Sequence, residues 1–167
     1  MVDIQALLAT WEQKFGPHPD GALLPAHHGQ CLGCGPDNPH GHHLRVSRRG
    51  EGVVAQHVFD DRHEGAPGIV HGGAVATVFD DLFGFLLYLA GEPAVTRQLS
   101  VEYLSPALIG TPYSLEAAVT GREGRRLFVT ATLAGANGAQ VATSTATFVT
   151  VGVDHFHRDM TGRIDDE

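Results

Sequence analysis

Residues 68–91 read GIVHGGAVATVFDDLFGFLLYLAG, and this stretch decides the fold. From Gly73 to Leu89 nearly every position is apolar, so the pattern predicts a helix that is buried on all sides. Gly91 is a typical C-terminal stop for such a helix, and Pro93 follows just beyond it. A helix of this kind needs other elements packed around it.

The segments on both sides of this helix have the character of strands. Before it, 44–47 and 52–59 flank residues 48–51, which read RRGE and predict a hairpin turn. After it come four strand-like runs: 94–104, 113–122, 126–134 and 140–151. Short links between these late strands predict a meander. One buried helix wrapped by one curved antiparallel sheet is an α+β arrangement of two layers.

The remaining residues precede the first strand or follow the last one. Residues 3–15 carry apolar side chains at helical spacing, which predicts an amphipathic helix that packs one face on the main body. Residues 16–43 have the composition of a long loop, and 154–167 that of a loosely held polar tail. The sequence predicts a single domain over residues 1–167, in which 1–30 form an N-terminal helix and loop appendage.

The composition narrows the classes of function. A formal net charge of −8 argues against a nucleic-acid partner, because phosphate binding needs a basic face. No signal peptide is evident, and the apolar stretch 82–90 is far shorter than the roughly 20 residues of a membrane helix. We therefore expect a cytoplasmic protein with no membrane partner. Two cysteines without an export signal predict no disulfide framework.

The residues that carry chemistry begin at the entrance of the helix. The sequence HGG stands there at 71–73, and a carboxylate, Asp80, follows nine residues after the histidine. Residues 96–106 read TRQLSVEYLSP, with a threonine seven residues before a tyrosine and a proline after it. Together these features resemble the signature of hotdog-fold acyl-CoA thioesterases, in the 4-hydroxybenzoyl-CoA thioesterase superfamily and similar to its phenylacetyl-CoA thioesterases. The resemblance covers roughly residues 31 to 150.

The resemblance implies a hotdog fold and a hydrolase that converts an acyl-CoA thioester to the free acid and coenzyme A. It implies no cofactor, because coenzyme A is part of the substrate, and no catalytic metal. It also implies a homodimer or a dimer of dimers, a homotetramer, with the site between two subunits. The glycine-rich loop of one chain would then face Asp80 and Thr96 of the other.

Elementary chemistry agrees with these roles. The N–H groups of Gly72 and Gly73 begin a helix and lack partners within it, so they could polarise a thioester carbonyl and stabilise its oxyanion. We expect Asp80 to be buried and to act as a general base on water, or as a nucleophile that forms a transient anhydride. Thr96 would orient the water, and His71 would bind substrate or orient the loop.

One position departs from the family pattern. Family members frequently carry Asn or Gln six residues before the HGG sequence, where this chain has Gly65. His63 and Glu64 are the nearest side chains, and we take His63 as a candidate for substrate binding. Asp81 points about 100° away from Asp80 on the helix, which fits a carboxylate that reaches solvent or a subunit interface.

Cys31 and Cys34 form a CxxC sequence that invites a zinc interpretation, because two nearby histidines could complete a tetrahedral site. The histidines in question are His27, His28, His40, His42 and His43. No second pair at finger-like spacing follows, so we predict no metal site. Gly33 and Gly35 would instead shape a loop over the substrate tunnel.

Several points stay open at the level of sequence. Arginines of residues 45–49 or of 122–126 could meet the coenzyme A phosphates. A non-catalytic acyl-CoA-binding protein is the main alternative function. An enoyl-CoA hydratase is disfavoured, because neither Asp80 nor His71 has the aspartate or histidine partner, about five residues away, that such an enzyme needs. The sequence does not name the acyl group.

Overall fold

The computed structural model describes residues 6, 9, 10 and 13–152 of the chain. Within that part, one six-stranded antiparallel sheet packs around one 19-residue helix. The helix, α1, spans Gly72–Ala90. The strands of the sheet are β1 (Val46–Arg49), β2 (Gly52–Val58), β5 (Ala94–Tyr103), β6 (Pro112–Glu123), β7 (Arg126–Ala134) and β8 (Gln140–Thr150). β3 (Glu64–Ala66) and β4 (Ile69–Val70) form a separate two-stranded sheet. This is the α+β arrangement that the sequence predicts.

The order of strands in the sheet is β1-β2-β6-β7-β8-β5. The predicted meander is confirmed for β6, β7 and β8, but not for β5, which pairs with β8 at the far edge. The reason is that the link between β5 and β6 crosses the start of α1 instead of turning back. In that link, Ala107 accepts a hydrogen bond from the N–H of Val70, and Leu108 forms a bridge with Ile69.

The first hairpin turns later than the sequence predicts. Arg48 and Arg49 continue β1 and pair with Val53 and Gly52, so the turn itself consists of residues 50 and 51. At that turn Gly50 has a φ of 58°, which side chains with a Cβ rarely adopt. The turn therefore fits where the glycine allows it.

The helix follows its prediction closely. It ends as expected at Gly91, whose φ is 74° and whose N–H donates to the carbonyl of Leu87 at 2.9 Å. The window tested for membrane-span character has a mean hydropathy of 1.5 and is 56% buried inside the protein, as is usual for the core helix of a soluble fold. The fully buried side chains from the helix are Val78, Phe79, Leu82, Phe83, Phe85, Leu86 and Tyr88.

Burial of the helix on all sides is wrong for the chain by itself. A stripe of small and polar residues along one face is only half-buried or exposed: Gly73, Ala76, Thr77, Asp80 and Gly84. These residues recur at three- and four-residue intervals, so they lie above one another on the helix surface. The core helix thus has one face that the sheet of its own chain does not cover.

The two ends of the chain are described only in part. Residues 6, 9, 10, 13 and 14 are helical, but the apolar face predicted for 3–15 rests mainly on residues outside the described part. The predicted polar tail, 154–167, also lies outside it. The long loop is confirmed, since 16–43 contain no regular element except an isolated bridge from Leu23 to Ser47.

Candidate active site

The entrance to α1 is held by the short hairpin that precedes it. The chain passes through a 3-10 turn at Asp61–His63 and then through β3 and β4, which pair antiparallel. The N–H of His71 donates to the carbonyl of His63 at 2.8 Å. The N–H of Val70 donates to the carbonyl of Ala107 at 2.9 Å. These backbone hydrogen bonds fix the point at which the helix starts.

The two glycine N–H groups at the entrance are not equivalent. His71 is the N-cap of α1, and its Nδ1 accepts a hydrogen bond from the N–H of Gly73 at 2.9 Å. The N–H of Gly72 has no partner among the described residues. The prediction of two free donors is therefore corrected to one, since His71 occupies the N–H of Gly73. The positive end of the helix dipole lies at the same place.

Tyr103 also holds the helix entrance. Its hydroxyl donates to the carbonyl of Gly72 at 2.6 Å, from the end of β5. A Cβ on Gly72 would lie 3.4 Å from the tyrosine ring carbon and hydroxyl, tighter than most such contacts, so glycine suits the position. Sequence analysis noted the tyrosine only as part of a spacing pattern and missed this contact.

The departure at Gly65 has a steric explanation. A Cβ at this position would lie 2.8 Å from the Cα of His71, closer than real Cβ atoms come to backbone. The asparagine or glutamine that family members frequently carry there would not fit this backbone. This chain therefore assists carbonyl binding without a side chain from that position.

His63 lies in a different environment from the one predicted. Its ring stacks on His42 with the centroids 3.8 Å apart, and its side chain is 10% exposed. His57 lies nearby, and burial lowers the pKa of His42 to about 3 and that of His57 to about 4, so both are neutral near pH 7. His63 contributes its backbone carbonyl to the helix entrance, while its side chain packs in this histidine cluster.

The predicted pair of Asp80 and Thr96 is brought together. The hydroxyl of Thr96 donates to Oδ1 of Asp80 at 2.8 Å, and the other carboxylate oxygen has no hydrogen-bond partner within the described part of the chain. Asp80 is half-buried rather than buried as predicted, because it lies on the uncovered face of α1. Both residues line a cavity of about 450 Å³, which also borders Cys31, Leu32 and Leu99.

A β-bulge lies beside this pair. The register of β5 against β8 skips Arg97, so that Thr96 pairs with Phe148 and Gln98 with Thr147. Bulges are frequent next to active sites, where they re-aim a side chain. Arg97 is exposed, and its guanidinium has no partner among the residues described, so it is a cation beside the pair that the sequence analysis overlooked.

Gly72 and Asp80 are not brought together within one chain. They are eight residues apart on the same helix, which corresponds to about 12 Å along its axis. A single thioester carbonyl cannot contact the N–H of Gly72 while its attacking water contacts Asp80 of the same helix. The two halves of the predicted site are thus separate in the protomer.

Asp81 differs from its prediction. It is 9% exposed, and its Oδ1 lies 2.9 Å from Nδ1 of His27 and 3.1 Å from Sγ of Cys31. The prediction that it reaches solvent or an interface is wrong for the protomer, because the loop that carries His27 and Cys31 covers this side of the helix. Burial raises the pKa of Asp81, and His27 offsets only part of that effect.

The two arginine clusters are largely occupied by other groups. Arg48 donates to the carbonyls of Gly50 and His18, Arg49 lies 3.4 Å from Glu116, and Arg122 lies 2.6 Å from Glu92. None of these arginines lines the cavity beside Asp80.

Comparison with known proteins places this arrangement in a family. Residues 67–142 match the family model described as the thioesterase superfamily. The chain carries a thioesterase-superfamily domain. Its fold is shared with the thioesterase superfamily protein RHA08564, with a TM-score of 0.68 at 21% identity over 88% of this chain and 75% of that one. A hypothetical thioesterase from Streptococcus pneumoniae, solved with coenzyme A, has a TM-score of 0.62 at 20% identity over 65% of this chain and 89% of that one. The predicted hotdog fold is thereby confirmed.

Curated relatives of this thioesterase-superfamily domain include acyl-coenzyme A thioesterase THEM4 of Rattus norvegicus. The two are 32% identical over 92 residues, which is 54% of this chain and 40% of the rat protein. The chain therefore spans less than half the length of this relative.

Proposed function

We propose that the chain hydrolyses an acyl-CoA thioester to the free acid and coenzyme A. The observation that carries this proposal is the contact of Asp80 with Thr96 at the wall of a cavity of about 450 Å³. A carboxylate that is held by one hydroxyl and keeps its second oxygen free is suited to take a proton from water. The acyl-CoA thioesterases among the relatives and the coenzyme A bound to the Streptococcus pneumoniae protein support the same substrate class.

In the proposed reaction, Asp80 removes a proton from a water molecule while the water oxygen attacks the thioester carbon. Thr96 holds the carboxylate and orients the water. The carbonyl oxygen becomes an oxyanion next to the N–H of Gly72, where the helix dipole also favours negative charge. The carbon–sulfur bond then breaks, and the coenzyme A thiolate takes up the proton. The reaction needs no redox group and no metal ion, because water is the nucleophile.

We also propose that a second copy of the chain completes the site. The separation of about 12 Å between Gly72 and Asp80 along the helix requires that these groups serve different substrates or come from different subunits. β5 is a ten-residue edge strand that pairs only with β8, so its outer edge can pair with another chain. A homodimer is the smallest assembly that meets both conditions, and a dimer of dimers would contain the same sites. Arg97 is a candidate contact for the phosphates of coenzyme A. Cytoplasmic location stays a prediction from the sequence.

A thiol-release assay tests the reaction. Short-chain, long-chain and aromatic acyl-CoA substrates would be supplied in turn, with the Asp80→Asn variant and the matched surface variant Asp61→Asn beside the wild type. We expect release of free coenzyme A by the wild type and by Asp61→Asn, and its loss in Asp80→Asn. Binding of acyl-CoA without thiol release would instead favour the non-catalytic binding protein.

Subunit complementation tests the shared site. Chains carrying Asp80→Asn would be co-expressed with chains carrying Gly72→Val, whose side chain covers the N–H at the helix entrance. Each variant alone should be inactive. Randomly paired dimers should recover about a quarter of the wild-type activity, since half are mixed and each mixed dimer has one intact site. No recovery from folded mixed dimers would show that the site lies within one subunit.

A further inference from the structure

A cluster of four metal-binding side chains lies next to the Asp80 cavity. His27, Cys31, Cys34 and Asp81 each direct one donor atom inward, and these four atoms all lie within 4.8 Å of one another. Nδ1 of His27 is 2.9 Å from Oδ1 of Asp81 and 3.3 Å from Sγ of Cys34. Sγ of Cys31 is 3.1 Å from the same Asp81 oxygen. Two sulfurs, one imidazole nitrogen and one carboxylate therefore converge on one point.

The spacing agrees with tetrahedral coordination. Bonds of 2.0–2.3 Å to zinc place neighbouring ligand atoms about 3.2–3.8 Å apart in a tetrahedron. The observed separations of 2.9–3.3 Å lie at or just below this range, so small outward movements would admit the ion. Thiolate and imidazole ligands favour zinc over magnesium and calcium, which prefer oxygen.

The backbone around the cluster is adapted to close approach. A Cβ on Gly33 would lie 2.1 Å from Cγ of Asp81. A Cβ on Gly84 would lie 2.7 Å from Cε1 of His27. Both distances are far below any real Cβ contact, so only glycine lets the loop and the helix bring these side chains together.

Polar atoms in the cluster lack partners. Oδ2 of Asp81 and Nε2 of His27 are buried without a hydrogen bond to any described residue. A buried carboxylate oxygen that faces no donor is costly, and a cation would compensate it. Lys14 adds a positive charge next to the loop, since its ammonium group donates to the carbonyls of Ala26 and His27 at 2.8 and 2.7 Å. Two thiolates and a carboxylate around Zn²⁺ would carry a net charge of −1, which the ammonium group partly offsets.

We propose that His27, Cys31, Cys34 and Asp81 bind one zinc ion. The prediction of no metal site is thereby revised, because the fourth ligand comes from α1 and not from a second cysteine pair. Four protein ligands leave no position open for substrate, which makes the site structural rather than catalytic. The ion joins the loop to the helix and fixes Cys31 and Leu32, which line the cavity beside Asp80.

Metal content of the purified full-length chain tests the proposal directly. Reduced protein reconstituted with Zn²⁺ and freed of excess metal should contain one zinc per chain by elemental analysis. Cys31→Ser and Asp81→Asn should weaken zinc binding by more than about tenfold, the smaller loss known for groups that only support a ligand. His40→Gln, an exposed histidine of the same loop, and Asp80→Asn should keep the ion. Zinc retained by Cys31→Ser and Asp81→Asn would overturn the proposal. Because binding is read without substrate, the result stands whether or not the chain is a thioesterase.

Two measurements on the wild-type chain guard against variants that fail to fold. Co²⁺ in place of Zn²⁺ should give the visible bands of a tetrahedral site and a thiolate-to-cobalt charge-transfer band. Zn²⁺ should also protect both thiols from alkylation, and a chelator should restore their reactivity. An octahedral cobalt spectrum, unprotected thiols, or a Cys31–Cys34 disulfide that persists under reducing conditions would each overturn the proposal.

Discussion

Asp80 and Asp81 are neighbours in sequence but belong to two different regions of the molecule. Asp80 is half-buried, accepts one hydrogen bond from Thr96 and borders a cavity. Asp81 is buried beneath a loop and contacts His27 and Cys31. The difference shows that surroundings, and not residue type, decide what a carboxylate on this helix can do. One is available to a ligand, whereas the other joins two parts of the same chain.

The largest difference between the two regions should appear in catalysis. Asp80→Asn keeps an oxygen for Thr96 to bind but cannot accept a proton, so kcat/KM should fall by about 10³ in the thiol-release assay. The thermal unfolding midpoint should stay near that of the wild type, because the side chain is half-buried and keeps its shape. A loss below tenfold in a folded variant would remove Asp80 from the role of general base.

The second difference should appear in stability. Asp81→Ala leaves His27 without its carboxylate; burial disfavours a charged His27, but the hydrogen bonds and charges of Asp81 and Cys31 outweigh it and raise the pKa of His27 to about 9. We expect the free energy of unfolding in denaturant to fall by about 3 kcal/mol, as is typical when one partner of a buried ion pair is removed. The exposed Asp61→Ala should change it by less than about 0.5 kcal/mol. Equal effects of the two substitutions would contradict the contrast between buried and exposed carboxylates.

A smaller loss of stability should follow from crowding the buried side. Gly33→Ala adds a Cβ that would lie 2.1 Å from Asp81, so the loop must move, and we expect a cost of about 2 kcal/mol. Gly152→Ala is the matched control, because no atom lies within 4 Å of the added Cβ. Differential scanning calorimetry of both variants measures the effect. If Gly33→Ala melts with the wild type, the loop does not pack on Asp81 as described.

The smallest effect should come from the hydroxyl of Thr96. Thr96→Val keeps the shape of the side chain and removes one hydrogen bond to the carboxylate, which is worth about 1.5 kcal/mol when an ion accepts it. We therefore expect kcat to fall by about tenfold while the fold is retained. Thr120→Val, an exposed threonine on β6, is a control that should leave kcat unchanged. An unchanged kcat in Thr96→Val would limit this threonine to a structural role.

Local pattern predicted much of the fold and half of the site. The bounds of α1 and of the late strands followed from periodicity and from Gly91, and the spacing of Asp80 and Thr96 indicated their contact. The position of β5 beside β8 was not predictable in this way, because strand order depends on where a distant connection crosses. The burial of Asp81 was also missed, because no periodicity in an irregular loop shows which face of the helix it covers. The use of the Gly73 N–H by His71 depends on a rotamer that spacing does not reveal.

The placement of two unlike carboxylates on consecutive helical residues constrains how this segment can change in evolution. Each residue added or removed between Gly73 and Asp80 would turn the rest of the helix by about 100°. One such change would rotate Asp80 away from Thr96 and separate Asp81 from the loop at the same time. The composition of this segment can therefore vary, whereas its length cannot, and insertions or deletions should be tolerated only in the loops outside it.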